Sequence, residues 1–168
     1  MSRRLVYYGN ATLASTAEKV KKIDDSIIKI INNMFEIMYN EKGIGLAAPQ
    51  IDLNKRIIVV DTNDETKSKI ALINPEIISF SDTVALYEEG CLSLPGLNAD
   101  VERPTEIAVK GVLPSGEMVE FEADGLFARV LQHEIDHLDG MFFIDRIEKY
   151  KKNELRSELK RIKKLNKR

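Results

Sequence analysis

The chain has 168 residues, 43% of them hydrophobic and 31% charged, which is enough for one globular domain with a hydrophobic core. It has no apolar run long enough to span a membrane and no secretory signal pattern near Met1, which predicts a cytoplasmic protein with no membrane partner. The single cysteine, Cys91, excludes an internal disulfide.

The net charge of −2 hides a separation of charge along the chain. Residues 149–168 contain ten Lys or Arg and two Glu, whereas residues 1–148 contain 15 Lys or Arg and 25 Asp or Glu. We therefore expect an acidic body, residues 1–148, and a basic C-terminal helix, residues 149–168, that belongs to the same single domain.

The first part of the chain predicts an extended segment, a helix and a glycine-rich loop. Residues 1–14 are expected to be extended, with a turn at Gly9. Asp24 is a plausible N-cap for a helix with apolar residues at three- and four-residue spacings, which ends before Gly43. The stretch 43–50 suits a backbone that approaches a ligand closely and holds an unusual conformation, and a helix C-cap followed by a loop is the alternative.

The middle of the chain predicts several strands. The β-branched run 55–61 indicates a central strand, and a polar loop, 62–69, follows it. Pro75 separates two short strands, and Pro114-Ser115-Gly116 is a hairpin signal. The predicted strands are residues 55–61, 70–74, 76–81, 84–87, 105–113 and 117–123.

The last part of the chain predicts two helices. Asp124 can cap a helix that ends at Asp139-Gly140, and another helix with a narrow apolar stripe runs from about Ile147 to the C terminus. One helix, several strands and two helices predict an α+β fold, in which antiparallel sheets pack around a central helix and a C-terminal helix follows.

The central helix carries both histidines of the chain. His133 and His137 are four residues apart, so they lie on one helix face and can reach one ion, while Glu134 lies near a water bound there. This is the arrangement of metal-assisted hydrolysis, and a helix with two surface histidines is the alternative. The apolar neighbours Val130 and Ile135 favour a buried helix, in which imidazoles need partners.

Two histidines leave a hydrolytic metal short of a third protein ligand. One candidate is Cys91, which follows Gly90 at the end of a predicted strand and is otherwise an idle core residue. The other is a downstream glutamate, Glu154 or Glu158, as in a zinc endopeptidase. Pairing with lysine explains these glutamates better, because they lie in the most basic part of the chain.

Three stretches together resemble the motifs of bacterial peptide deformylases, in the family's order and spacing. They are Gly43-Ile44-Gly45-Leu46-Ala47-Ala48-Pro49-Gln50, Glu89-Gly90-Cys91-Leu92-Ser93-Leu94-Pro95 and Gln132-His133-Glu134-Ile135-Asp136-His137-Leu138-Asp139-Gly140. The similarity in length and layout covers essentially the whole chain. The resemblance implies an enzyme that removes the N-formyl group from the N-terminal formyl-methionine of nascent polypeptides and releases formate.

The resemblance also implies the residues of the site. Cys91, His133 and His137 would bind one divalent metal ion, natively Fe(II), with Zn, Ni or Co also accepted. A metal-bound water would attack the formyl carbon with Glu134 as general base and then general acid. The side chain of Gln50 and the backbone N–H of Leu92 would stabilise the oxyanion. The implied substrate-binding residues are Ile44, Gly45, Glu89, Gly90, Leu126, Arg129 and Val130.

Two residues depart from the pattern of many or some relatives. Arg129 is expected to line the methionine pocket with its aliphatic stem while its charged head stays in water. Asn98 stands where some relatives carry an arginine near the later substrate residues. Arg103 either pairs with Glu89 and braces the cysteine loop or forms an ordinary surface ion pair.

The basic tail and two rival functions complete the expectations. In related enzymes the C-terminal helix docks on the ribosome near the nascent-chain exit, and ten positive charges suit rRNA, whereas a merely solvated helix is the alternative. A metallo-endopeptidase would not need Cys91. A ribosome- or RNA-binding module without enzymatic activity would not need Glu134.

Overall fold

The computed structural model describes residues 3–65 and 68–167. The predicted segment 1–14, the loop 62–69 and the C-terminal helix therefore each include residues that lie outside the described ranges. Within these ranges the α-helices are α1 (Asp25–Asn40), α2 (Gly125–Leu138), α3 (Lys149–Glu154) and α4 (Arg156–Lys163). The strands are β1 (Gly45–Ala47), β2 (Ile57–Asp61), β3 (Lys69–Phe80), β4 (Val84–Cys91), β5 (Leu94–Pro104), β6 (Glu106–Val112) and β7 (Met118–Asp124).

The strands form two antiparallel units. Five of them make one sheet in the order β1-β2-β3-β6-β7, and β4 and β5 make a separate hairpin. Four successive residues of β2, Ile57 to Val60, are fully buried. Successive strand residues point to opposite faces, and here both faces are covered. Ile58 and Val60 pack with α2, whereas Ile57 and Val59 pack with α1.

Helix α2 is the centre of the molecule, and its residues from Ala128 to Leu138 are all buried. Its apolar residues, including Leu131 and Ile135, pack on the five-stranded sheet. Its polar residues face the β4–β5 hairpin, because Arg129 bonds to backbone carbonyls of both hairpin strands. The predicted α+β fold, with antiparallel sheets around a central helix, is confirmed.

Strand β3 differs from its prediction. It runs continuously through Pro75, so the prediction of two short strands is wrong. The pairing with β6 shifts between Ile73 and Glu76, and Asn74 adopts a left-handed φ of 52°. Pro75 lacks an N–H, and this bulge removes it from the ladder of hydrogen bonds. Strands β1 and β5 were not predicted, because their glycines and prolines mask the alternating pattern.

The two long helices begin differently. In α1 the Asp24 side chain accepts hydrogen bonds from the backbone N–H groups of Ser26 and Ile27, as predicted. In α2 Asp124 occupies the N-cap position but its side chain makes no capping bond, so that part of the prediction is wrong. Asp124 is also the last residue of β7 and pairs with Glu106, so the chain turns directly from strand to helix.

The C-terminal segment was predicted to be one helix, and this prediction is wrong. A break at Leu155 separates α3 from α4. Leu159 and Ile162 of α4 are buried against the apolar face of the hairpin, in a cluster that also contains Leu94 and Phe143. The break lets these residues reach the hairpin. Tyr150 was predicted in the same stripe but is 57% exposed. In the described ranges, no helix has the length and apolar character needed to cross a bilayer.

The end of α2 depends on a glycine. Gly140 has a φ of 74°, and a Cβ atom at this position would lie 2.9 Å from the carbonyl oxygen of Ala14. Ala17 N–H donates to Leu138 O at 2.8 Å, so the N-terminal segment passes directly over the helix end. The close approach fixes where α2 stops relative to the rest of the chain.

We predict that Gly140→Ala lowers the free energy of unfolding by about 2–4 kcal/mol, because backbone strain and the Ala14 clash add. Gly116→Ala is the matched control, since Gly116 also has a positive φ, 90°, but open space around it. The control should lose only about 1–2 kcal/mol. Denaturant unfolding measures both values, and equal losses would show that the contact with Ala14 has no energetic role.

Candidate metal centre and active site

The three predicted metal ligands come together between β4 and α2. Cys91 is the last residue of β4, and His133 and His137 project from α2. Their ligand atoms all lie within 4.8 Å of one another, and Cys91 Sγ is 3.3 Å from His137 Nε2. Two ligands of a tetrahedral ion with bonds of 2.1–2.3 Å are separated by about 3.6 Å. The spacing therefore fits one metal ion.

The chemistry of the donors also fits a divalent cation. His133 Nδ1 lies 2.8 Å from Glu89 Oε1, which leaves Nε2 for the ion, as is usual for metal-binding histidines. Burial lowers the pKa of His137 well below its usual value, which keeps its imidazole neutral. Burial also acts to lower the pKa of His133, but Cys91 and Glu89 outweigh it and raise the pKa well above normal. The site therefore attracts positive charge.

The downstream glutamates do not take part. Glu158 bonds to Arg161 at 2.9 Å on the surface. Residues 3–65 and 68–167 contain one group of three potential metal ligands, formed by Cys91, His133 and His137. Neither Glu154 nor Glu158 belongs to it. The endopeptidase arrangement of ligands is therefore absent from the described residues.

Glu134 lies beside this centre and is only 4% exposed. A Cβ atom at Gly45 would come within 2.5 Å of Glu134 Oε1, so only a glycine leaves room for the carboxyl group there. Its other oxygen, Oε2, has no hydrogen-bond partner among the described residues. Burial raises the pKa of Glu134 to about 7. A carboxyl group of this kind can both accept and return a proton near neutral pH.

Gln50 is oriented by its neighbours. Its Oε1 accepts a hydrogen bond from Ala47 N–H at 2.8 Å, and its Nε2 donates to Ser93 Oγ at 3.3 Å and lies 3.6 Å from Cys91 Sγ. Because the amide oxygen is already used, the NH₂ group faces the metal centre. Gln50 can therefore donate to a negative oxygen that forms there.

The N-terminal segment links Gln50 to the cysteine turn, which the sequence did not reveal. Val6 N–H donates to Gln50 O at 2.8 Å, and Ser93 Oγ donates to Val6 O at 2.8 Å. Tyr8 N–H donates to Ser93 O at 3.0 Å. The position of Ser93 inside the cysteine motif was the available signal. The segment holds the turn after Cys91 and the turn that carries Gln50 at a fixed separation.

The two glycines of the glycine-rich stretch differ, and the helix C-cap interpretation holds for the first of them. Gly43 N–H donates to Met38 O at 2.8 Å and closes α1, as a C-cap does. Gly45 begins β1 and allows the close approach to Glu134 described above. Neither glycine has a positive φ, so the predicted unusual conformation is wrong for them, and Lys42 adopts it instead with a φ of 57°.

A pocket of about 360 Å³ opens beside Glu134 and His133. All seven predicted substrate-binding residues line it: Ile44, Gly45, Glu89, Gly90, Leu126, Arg129 and Val130. Gln50, Cys91 and Leu92 also line it, whereas His137 does not. Tyr87 was missed by sequence reasoning. Asn98 lies opposite Gly90 in the hairpin, and Gly90 directly precedes Cys91 on β4.

The expectation that the head of Arg129 stays in water is wrong. Arg129 is only 8% exposed. Its Nη1 donates to Glu89 Oε2 at 2.7 Å and to Val101 O at 2.9 Å, and its Nη2 donates to Ala85 O at 2.8 Å. The hairpin offers these acceptors directly above α2, so the guanidinium is satisfied without water. Arg129 is a fixed part of the pocket wall.

Glu89 is the centre of a buried ionic network. Arg103 donates to both of its oxygens, at 2.6 and 2.9 Å, and is 1% exposed. The bracing interpretation of this pair therefore holds, and the surface ion pair is wrong. Burial acts to raise the pKa of Glu89, but hydrogen bonds from His133 and Arg103 outweigh it and lower the pKa to about 2. Glu89 thus stays a carboxylate that orients His133.

The network continues to the surface through two residues that the sequence did not single out for a role. Arg103 Nη1 donates to Asp136 Oδ2 at 2.9 Å. Arg146 donates to both oxygens of Asp136 at 2.6 Å, and its own side chain is 40% exposed. A continuous series of charged pairs therefore runs from His133 to the segment after α2.

We predict that Arg103→Met lowers the free energy of unfolding by about 3–5 kcal/mol, because Glu89 and Asp136 lose a buried cation that they share and the methionine replaces none of its three hydrogen bonds. Arg161→Met is the control, since it removes an exposed pair with Glu158 and should cost at most about 0.5 kcal/mol. Denaturant unfolding at neutral pH compares the two variants. Equal stabilities would mean that the Glu89 network does not stabilise the fold.

Comparison with known proteins supports the same assignment. The family model described as polypeptide deformylase matches residues 2–153. The peptide deformylase of Brachyspira hyodysenteriae is 49% identical over 167 residues, which are 96% of this chain and 89% of that protein. The peptide deformylase of Thermodesulfovibrio yellowstonii is 48% identical over 155 residues, which are 91% of this chain and 93% of that protein.

Solved structures agree with these sequence matches. The peptide deformylase of Legionella pneumophila has a TM-score of 0.89 at 38% identity and covers 100% of this chain and 99% of its own. The peptide deformylase of Synechococcus elongatus, solved in complex with actinonin, has a TM-score of 0.84 at 41% identity. The match covers 95% of this chain and 85% of that chain. The chain therefore belongs to the polypeptide deformylase family and is a metal-dependent hydrolase that removes the N-formyl group from nascent polypeptides.

Proposed function

We propose that Cys91, His133 and His137 hold the metal ion of this deformylase and that Glu134 is its general base and then its general acid. One observation carries the proposal: the three ligand atoms lie within 4.8 Å of one another, beside a carboxyl oxygen that faces Gly45 in the pocket wall. No other feature of the described residues combines a cation site, a proton acceptor and a pocket.

The reaction can be divided among these groups. When bound, the ion supplies Lewis-acid activation of water for hydrolysis. Glu134 accepts a proton from the attacking water and returns it to the amine, so that formamide and water give formate and a free amino terminus. Gln50 Nε2 and the backbone N–H of Leu92 donate hydrogen bonds to the negative oxygen of the tetrahedral intermediate.

The pocket supports methionine as the first substrate residue. Ile44, Leu126 and Val130 give it apolar walls next to Glu134. Strand β1 lies at the edge of its sheet, so Gly45 has a backbone edge available for an extended substrate. The buried head of Arg129 fixes the far wall and sets how long a side chain the pocket accepts. Asn98 is proposed to hold the third substrate residue less firmly than an arginine would.

We propose Fe(II) as the native ion. The Cys–His–His donor set combines a soft thiolate with two imidazoles, which also suits Zn, Ni or Co. An Fe(II)–thiolate centre is sensitive to oxygen, because both the iron and the sulfur can be oxidised. Activity that decays in air and returns with anaerobic Fe(II) distinguishes iron from zinc, which has no redox chemistry.

We propose that the protein acts in the cytoplasm and that residues 149–168 form one domain with residues 1–148. The packing of Leu159 and Ile162 against the hairpin supports the single domain. The exposed basic residues of this segment, such as Lys160 and Lys164, support a contact with ribosomal RNA near the nascent-chain exit. This contact would bring the enzyme to its substrate as it emerges.

We predict that Glu134→Gln lowers formate release from a formyl-Met peptide by about 10²–10⁴-fold without changing metal content. Cys91→Ala should lose the metal itself. The measurement combines formate release by anaerobically purified protein with metal analysis of the same sample. Full activity in Glu134→Gln would refute its role, and metal content unchanged in Cys91→Ala would refute the proposed ligand set.

We also predict that Lys160→Glu combined with Lys164→Glu reduces co-sedimentation with ribosomes at low salt, while peptide deformylation stays the same. Substitution is preferable to truncation here, because Leu159 and Ile162 are buried in the core. The control is Lys22→Glu with Lys29→Glu, an equal charge change at exposed sites on and near α1. Equal sedimentation of the two double variants would exclude a contact through α4.

A further inference from the structure

A second pocket, of about 280 Å³, adjoins the methionine pocket. The two share three wall residues, Tyr87, Leu126 and Arg129. The other walls of the second pocket include Ala85, Pro104 and Thr105. Nothing in the proposed reaction uses this pocket. Because it is continuous with the active-site surface, the partner most able to reach it is the substrate itself.

Arg129 separates the two pockets and cannot easily move. Its guanidinium donates to Glu89 on the side of the methionine pocket and to the carbonyl of Ala85 on the other side. It also lies over the Tyr87 ring, 5.7 Å from the centroid. A methionine side chain therefore does not extend through this wall. The second pocket is reached from outside, over Tyr87 and Leu126, which are 63% and 41% exposed.

The direction of β4 determines which part of a substrate can reach the second pocket. Cys91 is the end of β4 at the metal centre, and Tyr87 and Ala85 precede it by four and six residues. At about 3.3 Å per residue they lie roughly 13 and 20 Å from Cys91. In the described ranges β5 is the sole strand paired with β4, so no strand covers its other edge. An extended chain leaving the metal along β4 covers the same distance in four to six residues.

We propose that the second pocket is a subsite for an apolar side chain at the fourth to sixth residue of the nascent polypeptide. This inference rests on the proposed deformylase site, because that site places the formyl group at Cys91. The walls contributed by Ala85, Pro104 and Leu126 favour an apolar group. Arg129 is the charged residue of the lining, and its positive charge disfavours Lys and Arg.

The experiment measures kcat/KM for formate release from heptapeptides that begin with formyl-Met and are otherwise alanine. A single Leu, Ser or Lys is placed in turn at positions two to seven. We expect Leu to raise kcat/KM by about 3–10-fold over Ser at one position from four to six, through KM rather than kcat. Lys should be the poorest at that position. No preference for Leu at positions four to six would overturn the subsite.

Two variants locate the effect in the molecule. Ala85→Glu and Ala85→Lys place opposite charges in the pocket, and both should remove the preference for Leu. Leu86→Glu is the matched control, because Leu86 is the next residue of β4, is 63% exposed and lines neither pocket. It should keep the preference. A preference that survives both Ala85 variants would overturn the proposal.

A short substrate separates this inference from the function on which it rests. Formyl-Met-Ala cannot reach the second pocket, so wild-type protein and the Ala85 variants should hydrolyse it within about two-fold of one another. No hydrolysis of formyl-Met-Ala by metal-loaded wild type would refute the deformylase site itself. A larger loss of formyl-Met-Ala hydrolysis in the Ala85 variants would assign the pocket to the first residue and overturn the proposal.

Discussion

The carboxylate of Glu89 is buried where β4 crosses α2, and such a group is stable only when every one of its oxygens is paired. Arg103 reaches it from β5, and Arg129 and His133 reach it from α2, at distances between 2.6 and 2.9 Å. One acidic group therefore joins three elements at a single point. Cys91 lies two residues further along the same strand, so the pairing that holds the hairpin on the helix also sets the distance between the thiol and the two imidazoles.

Helix α2 can serve as both core and active site because its faces differ. The apolar face packs on the five-stranded sheet and supplies the burial that holds the helix in place. The other face carries the histidines, Glu134, Arg129 and Asp136 toward the hairpin, where Arg129 meets Glu89 and two backbone carbonyl groups, and Asp136 meets Arg103. The N-terminal segment completes the arrangement by joining the turn of Gln50 to the turn of Ser93. Gln50 and the turn after Cys91, which are far apart in the chain, are thus held at a fixed separation by hydrogen bonds to the N-terminal segment.

Arg129 shows how one side chain can define two binding regions. Its side chain forms one wall of the pocket beside Glu134, and its bond to Ala85 O forms one side of the second pocket. A charged residue at the edge of an apolar pocket would ordinarily extend toward water. Here the hairpin supplies a carboxylate and two carbonyl groups at bonding distance, so the desolvation of the guanidinium is offset. The result is a rigid wall that limits the depth of the first pocket and leaves space beyond it.

Local pattern and motif were sufficient to determine the central helix, its two histidines with Glu134, the start of α1 and the α+β class. These features depend on spacing along the chain, and spacing is a property of the sequence. Gln50, Leu92 and the seven predicted residues that line the pocket were also named, but through resemblance to a family rather than from periodicity. Only the tertiary structure decided the rest: the unbroken β3 with its bulge at Asn74, the hairpin strand β5, the break at Leu155, the buried head of Arg129 and the pairs that join Asp136 and Arg146 to Glu89. Each of these depends on which distant groups come into contact when the chain packs, and no local pattern records that.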